Sequence, residues 1–321
     1  MKTDSQQWRS CDDVRPLRSA HPLGSGVATV VMVIAAILTG SVQAQLRVVV
    51  SIEPYREPVE RLLGDEGQVE VLLPPGASPH GFEPTPRAVA RLADADLVVV
   101  NGRLDDWILD LLDAAEGDVA RFVALEALSP GQLLAGEPVD RGSDGTRRPN
   151  PHVWLDPRRM AVIVVALADR VAELRPDLAD VVAARRDAYL AELQATDAEV
   201  AELLAPLAGA PFVPFHDAWP YFAQRYGLDL LLEIEPFPGR EPSARQLTEA
   251  VQAIRAAGAV AIFTEVQLAD RPARVLADEA GVALGLLDPV GGVEGRNGYL
   301  QLLLYNARTI AAALTPPSGA P

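Results

Sequence analysis

From Gln45 onward, short apolar blocks alternate with stretches whose apolar residues recur every three or four positions. The blocks Leu46–Ser51, Val69–Leu73, Leu97–Asn101 and Arg121–Ala124 predict strands. Between them, Pro54–Leu63, Arg87–Ala95 and Trp107–Ala115 predict helices, the first stopped by Gly64. This order predicts an α/β fold, a mostly parallel sheet with helices on both faces. The same alternation restarts past mid-chain. Strands are predicted over Pro211–Phe215, Asp229–Glu233, Ala259–Phe263 and Val282–Leu287, and helices over Ala218–Tyr226, Ser243–Ala257, Arg271–Ala280 and Tyr299–Leu314. The halves share an architecture without repeating a sequence.

Two stretches between the halves break the alternation. Leu128–Pro151 is rich in glycine, proline and mixed charge and reads as a long loop. After the helix Arg158–Leu174, Asp177–Leu204 carries Leu178, Val182, Tyr189, Leu193, Val200 and Leu204 at helical spacing. A helix of that length would span roughly 40 Å, enough to serve as a strut between two lobes.

Composition narrows the function. The chain is 49% hydrophobic and carries a net charge of −16, with lysine only at Lys2. Such a surface repels nucleic acid and anionic lipid, so no nucleic-acid partner is expected. Residues 27–38, VATVVMVIAAIL, form an uncharged run preceded by basic residues and followed by small ones. This predicts a signal peptide over 1–44, cut after Ala44, with an uncleaved anchor as the alternative. The sole cysteine, Cys11, would leave with it, so the exported chain would have neither disulfide nor thiolate metal site. No cysteine follows the run to take a lipid, and a soluble periplasmic product is expected.

Beyond residue 44 there are three histidines, His80, His152 and His216. His80 sits in the proline-rich loop LPPGASPHGFEPTP, Leu73–Pro86, directly after a predicted strand. Proline fixes φ and stiffens such a loop. His152 follows Pro151, and His216 ends the strand from Pro211. Neutral imidazole is a common ligand of divalent transition metals, and gathering three from distant loops is costly unless a metal repays it. A fourth ligand would come from a carboxylate at a strand end, with Asp288, Glu265 and Asp217 as candidates. A catalytic zinc with an open water position, and hence a secreted zinc hydrolase, is the alternative of another class. Neither HExxH nor GxSxG nor a phosphate-cradling glycine loop occurs.

Four segments taken together carry a resemblance: LPPGASPHGFEPTPRAVARLADADLVVVNG over 73–102, PHVWLDP over 151–157, FHDAWPYFAQRYGL over 215–228, and IFTEVQ with LLDPVGG between 262 and 292. In this order they resemble the cluster A-I solute-binding proteins, the periplasmic metal-binding subunits of ABC importers for zinc and manganese. The resemblance implies two α/β lobes with mostly parallel four-stranded sheets joined by one long linking helix. Here these would be a lobe over 45–176, a helix over 177–206 and a lobe over 207–321. It implies no enzyme activity, and one metal held by His80 and His152 from the first lobe and His216 and Asp288 from the second. Glu265 falls where a residue orients a ligand imidazole. Zinc is the expected transported ligand, with manganese or iron as the alternative. The implied partners are a membrane ABC permease and, for loading, a periplasmic metallochaperone, the protein itself being a monomer. Some relatives with this fold are adhesins, a third class of reading. Two departures matter. Pro79 stands where zinc members often place an acidic residue, which moves weight to Asp288. The loop over 128–151 lacks the histidines such members often carry there, leaving Glu137, Asp140 and Asp144 as weak ligands.

Overall fold

The computed structural model describes residues 44–115, 117–138, 147–235 and 242–315. The signal-peptide expectation and the side chains of Asp140 and Asp144 lie outside them. From Gln45 the chain packs as one compact unit. Among the described residues no helix is long and apolar enough to cross a membrane.

The first sheet contains β1 (Leu46–Val50), β2 (Gly67–Val71), β3 (Leu97–Val100) and β4 (Ala120–Val123). Its order is β2-β1-β3-β4, with every pairing parallel. The helices that follow the first three strands are α1 (Arg56–Leu63), α2 (Pro86–Ala93) and α3 (Asp106–Ala114). Alternation along the strands assigns each side chain to a face. Leu46, Val48, Val50, Leu97 and Val99 enter one large core with Val59, Leu62 and Leu63 of α1. Val49, Val98 and Val100 enter a smaller core with Ala88 and Leu92 of α2 and Ile108 and Leu112 of α3.

The second half is built on β7 (Pro211–Phe212), β8 (Asp229–Leu230), β9 (Ala261–Glu265) and β10 (Ala283–Leu287). Here the four parallel strands form two pairs joined by a single bridge. β7 pairs with β8 and β9 with β10, both in parallel, and a bridge between Pro214 and Phe263 joins the two pairs. The chain from Pro211 is extended as predicted, but it pairs first with β8, then turns its bonds to β9 through Phe263 N to Val213 O and Phe215 N to Phe263 O. Pro211 and Pro214 carry no N–H, which keeps each ladder short. Val213, Phe215 and Ile262 share a small core with α7 (Ala244–Ala256) and α8 (Asp270–Ala280).

The remaining helices are α4 (Pro157–Leu174), α5 (Ala179–Leu204), α6 (Pro220–Tyr226) and α9 (Tyr299–Leu314). Each of them contributes to the large core, as do Phe212, Phe263 and Leu287 from the second half. The helical stripe read from the sequence is buried at all six positions, Leu178 to Leu204. Asp197 on that stripe is held by Arg225 Nε at 3.0 Å and Tyr226 hydroxyl at 3.1 Å.

The stretch over 128–151 is not simply a loop. It contains an antiparallel pair, β5 (Ala135–Pro138) and β6 (Arg147–Pro149). Gly136 permits the close approach: a Cβ there would lie 2.8 Å from the Asn150 backbone. The Tyr221 hydroxyl accepts from Leu134 N and donates to Asn150 O, tying the pair to α6.

Candidate metal centre

Each histidine is mounted by a different local device. Beyond β2, Leu72 N and Leu73 N still bond to Val50 and Ser51, so the chain leaves the sheet firmly held. His80 then lies in a single turn, Pro79–Gly81, whose first residue is proline and whose cap is Ser78, the hydroxyl accepting from His80 N at 3.3 Å. His152 opens the buried turn Val153–Leu155. His216 follows Phe215, whose carbonyl accepts from Ile234 N and Glu235 N.

These mounts bring the ring nitrogens together. His80 Nε2 lies 3.2 Å from His152 Nε2 and 3.2 Å from His216 Nε2. Among the described residues this is the group able to hold a metal ion, its three ligand atoms all within 4.8 Å of one another. The other ring nitrogens are engaged from behind. His152 Nδ1 lies 3.0 Å from Asn150 Oδ1, and His216 Nδ1 lies 2.8 Å from Glu265 Oε2. Both partners accept, so each imidazole carries its proton on Nδ1 and presents the Nε2 lone pair. Glu265 is buried and also accepts from Trp219 Nε1 at 2.9 Å. Glu265 thus holds the His216 ring from behind.

Asn150 was not read as functional from the sequence, although it is the most connected residue here. Its Oδ1 accepts from His152 N and its Nδ2 donates to Asp217 O and Oδ1, beside His216. The available signal was its place between two prolines, two residues before a histidine, where Asn side chains bond back to the chain. Asp217 contributes to this link and is not part of the histidine group. Asn150→Ala is expected to weaken metal binding about 10–100-fold by freeing the His152 ring, which competition titration against a chelator would measure.

Asp288 is fully buried at the start of a turn whose Pro289 and Val290 line the cavity with the histidines. Its carboxylate does not join the three-histidine group. The cavity has a free volume of about 10 Å³, room for roughly one water-sized occupant.

Burial, followed by the charge of His216, pushes the His80 pKa down to about 3, although part of the residue faces solvent. His152 is lowered by burial, then by His216 and His80. Both values fall below the ~6.5 of an unfolded histidine, so the unfolded chain binds more protons. Their contribution to stability is complete above about pH 6.5 and is lost as pH falls below it, for His80 down to about 3. Melting of the chelator-treated chain is therefore expected to move to lower temperature between pH 7 and pH 4.5; an unchanged midpoint would contradict these environments.

The family model described as "Zinc-uptake complex component A periplasmic", ZnuA, matches residues 48–313. The chain belongs to that family. ZnuA-family proteins are the periplasmic metal-binding subunits of ABC importers, binding proteins rather than enzymes. The chain is 32% identical over 253 residues to the zinc-binding lipoprotein AdcA of Streptococcus pneumoniae, covering 77% of this chain and 50% of that one. To the high-affinity zinc uptake system protein ZnuA of Paracoccus denitrificans it is 28% identical over 301 residues, covering 84% and 91%. The chain spans about half the length of the AdcA relatives it matches. Among solved structures, a crystal structure of ZnuA superimposes with a TM-score of 0.75 at 30% identity, covering 84% of this chain and 100% of that one. The binding protein FpvC of Pseudomonas aeruginosa in complex with Mn2+ does so at 0.73 and 26%, covering 84% and 98%.

Proposed function

We propose that this protein captures zinc in the periplasm, as a soluble monomer, and delivers it to a membrane ABC permease. The observation that carries the reading is the convergence of three imidazoles, with His80 Nε2 3.2 Å from both His152 Nε2 and His216 Nε2. With Zn–N bonds of 2.0–2.1 Å, a tetrahedral site separates its nitrogens by about 3.3 Å. His80, His152 and His216 are the proposed ligands, with Asp288 as the fourth and Glu265 and Asn150 orienting the rings. In functional terms residues 45–176 and 207–321 act as two lobes, and 177–206 as the link between them. Metal is drawn from both sides of the cleft, so a small displacement of one side opens the coordination sphere. The large core common to both halves favours a local shift of the site loops over a wide hinge.

Manganese is the second reading, favoured by the likeness to FpvC with bound Mn2+. Imidazole-rich sites suit zinc, whereas manganese prefers carboxylate and water oxygen. The test is purification of residues 45–321, metal analysis, and competition titration with zinc and manganese. One equivalent of tightly held zinc, with manganese displaced by it, is the expected result. A preference for manganese would overturn the zinc reading, and absence of binding would overturn the site.

A further inference from the structure

The buried carboxylate proposed as the fourth ligand is paired with an arginine that the capture reading does not use. Asp288 Oδ1 accepts from Gln267 Nε2 at 2.9 Å, Val290 N at 3.0 Å and Gly291 N at 2.9 Å. Asp288 Oδ2 receives no hydrogen bond among the described residues, and Arg296 Nε stands 3.0 Å from it, close enough to pair by charge but not aligned to donate. The Arg296 side chain is only 16% exposed, and its guanidinium lies 4.5 Å from the centre of the Tyr305 ring. The intervening turn returns the arginine to the aspartate at its start. Gly292 N donates to Arg296 O at 3.0 Å and Arg296 N to Val293 O at 2.9 Å. Gly291 and Gly292 take φ of +84° and +83°, and a Cβ on Gly291 would sit 2.9 Å from Arg296 O. A side chain at Gly291 would meet both strain and collision, so this turn depends on glycine.

A buried carboxylate needs a counter-cation. With Oδ1 saturated by donors, Oδ2 is the oxygen left for one, and the guanidinium and an incoming metal cannot both have it. We propose that Arg296 competes with the metal for Asp288 and thereby biases the site against manganese. This rests on the reading that the three histidines bind the metal. Three imidazoles supply most of what zinc needs, so zinc loses less than manganese while Asp288 stays paired. Manganese depends more on carboxylate oxygen and must displace the arginine to obtain it.

The test compares residues 45–321 of the wild type with Arg296→Gln, Arg296→Lys and the double variant Arg296→Gln/Asp288→Asn. Manganese and zinc ions are titrated separately against a competing chelator, with thermal melts to verify folding. Arg296→Gln is expected to raise manganese affinity about tenfold or more and zinc affinity by clearly less. Adding Asp288→Asn should remove the manganese gain. Arg296→Lys keeps the charge without the planar fork and should give a smaller rise, which preserves the test should the glutamine variant not fold. Zinc binding by the wild type, with manganese affinity within about twofold of wild type in both single variants, would overturn the inference and leave the histidine site standing. Equal gains for the two metals, or a gain that survives Asp288→Asn, would also overturn it. A wild type that binds neither metal would remove the site itself.

Discussion

Replacing His216 with alanine is expected to cost zinc affinity at least about a hundredfold. Tight protein zinc sites are worth roughly 10–16 kcal/mol, so one ligand of four carries about 2.5–4 kcal/mol. His216 is also the histidine whose Nδ1 is held by a buried carboxylate, so its loss leaves Glu265 without the imidazole it binds. Glu265→Ala keeps all three imidazoles and loosens one of them, a change expected to cost about 10–100-fold. Competition titration orders the two variants. Equal losses would mean that the metal does not sit on His216 Nε2.

The second large effect is expected at Trp154, which binds no metal in this reading. Its ring is fully buried, 5.3 Å from the His152 ring, and its Nε1 donates to Pro289 O at 2.7 Å. It thereby joins the His152 turn to the turn that begins at Asp288. Trp154→Ala should lower unfolding free energy by about 3–5 kcal/mol, from lost burial and the cavity left behind. Trp154→Phe keeps most of the volume and loses the hydrogen bond, at about 1–2 kcal/mol. Urea unfolding of both variants measures the difference. A loss below about 1 kcal/mol for the alanine variant would show that this tryptophan is not part of the core.

Some features were legible from local pattern. Residues such as Val182, Leu193 and Val200 lie on one face because a helix repeats every 3.6 residues, and burial followed from that. The helix at Tyr299–Leu314 was bounded correctly by the same rule. His80, His152 and His216 could be found because imidazoles in stiff turns are uncommon, and the structure gathers all three. Less legible were features decided by partners far along the chain. The strand from Pro211 changes partner midway, which no local pattern encodes. The β5–β6 pair was hidden because glycine and proline, which usually mark loops, here allow close packing on Asn150. Arg296 carried no signal at all. A single arginine after a glycine turn acquires meaning only once the turn folds it back onto Asp288.

The large core also bears on how the chain comes to be folded. Tyr299, Leu303, Ala307, Ile310 and Leu314 of the final helix belong to the same apolar cluster as Leu46, Val48 and Val50 of the first strand. Tyr299 further donates its hydroxyl proton to Trp154 O, and Leu300 N donates to Glu57 Oε2, which binds the helix start to elements made long before it. A chain lacking that helix has an open flank across its large core, so native closure depends on it. Contacts this distant in sequence also form slowly. Shortening the chain by the last helix should therefore abolish folding throughout, rather than unravel one end.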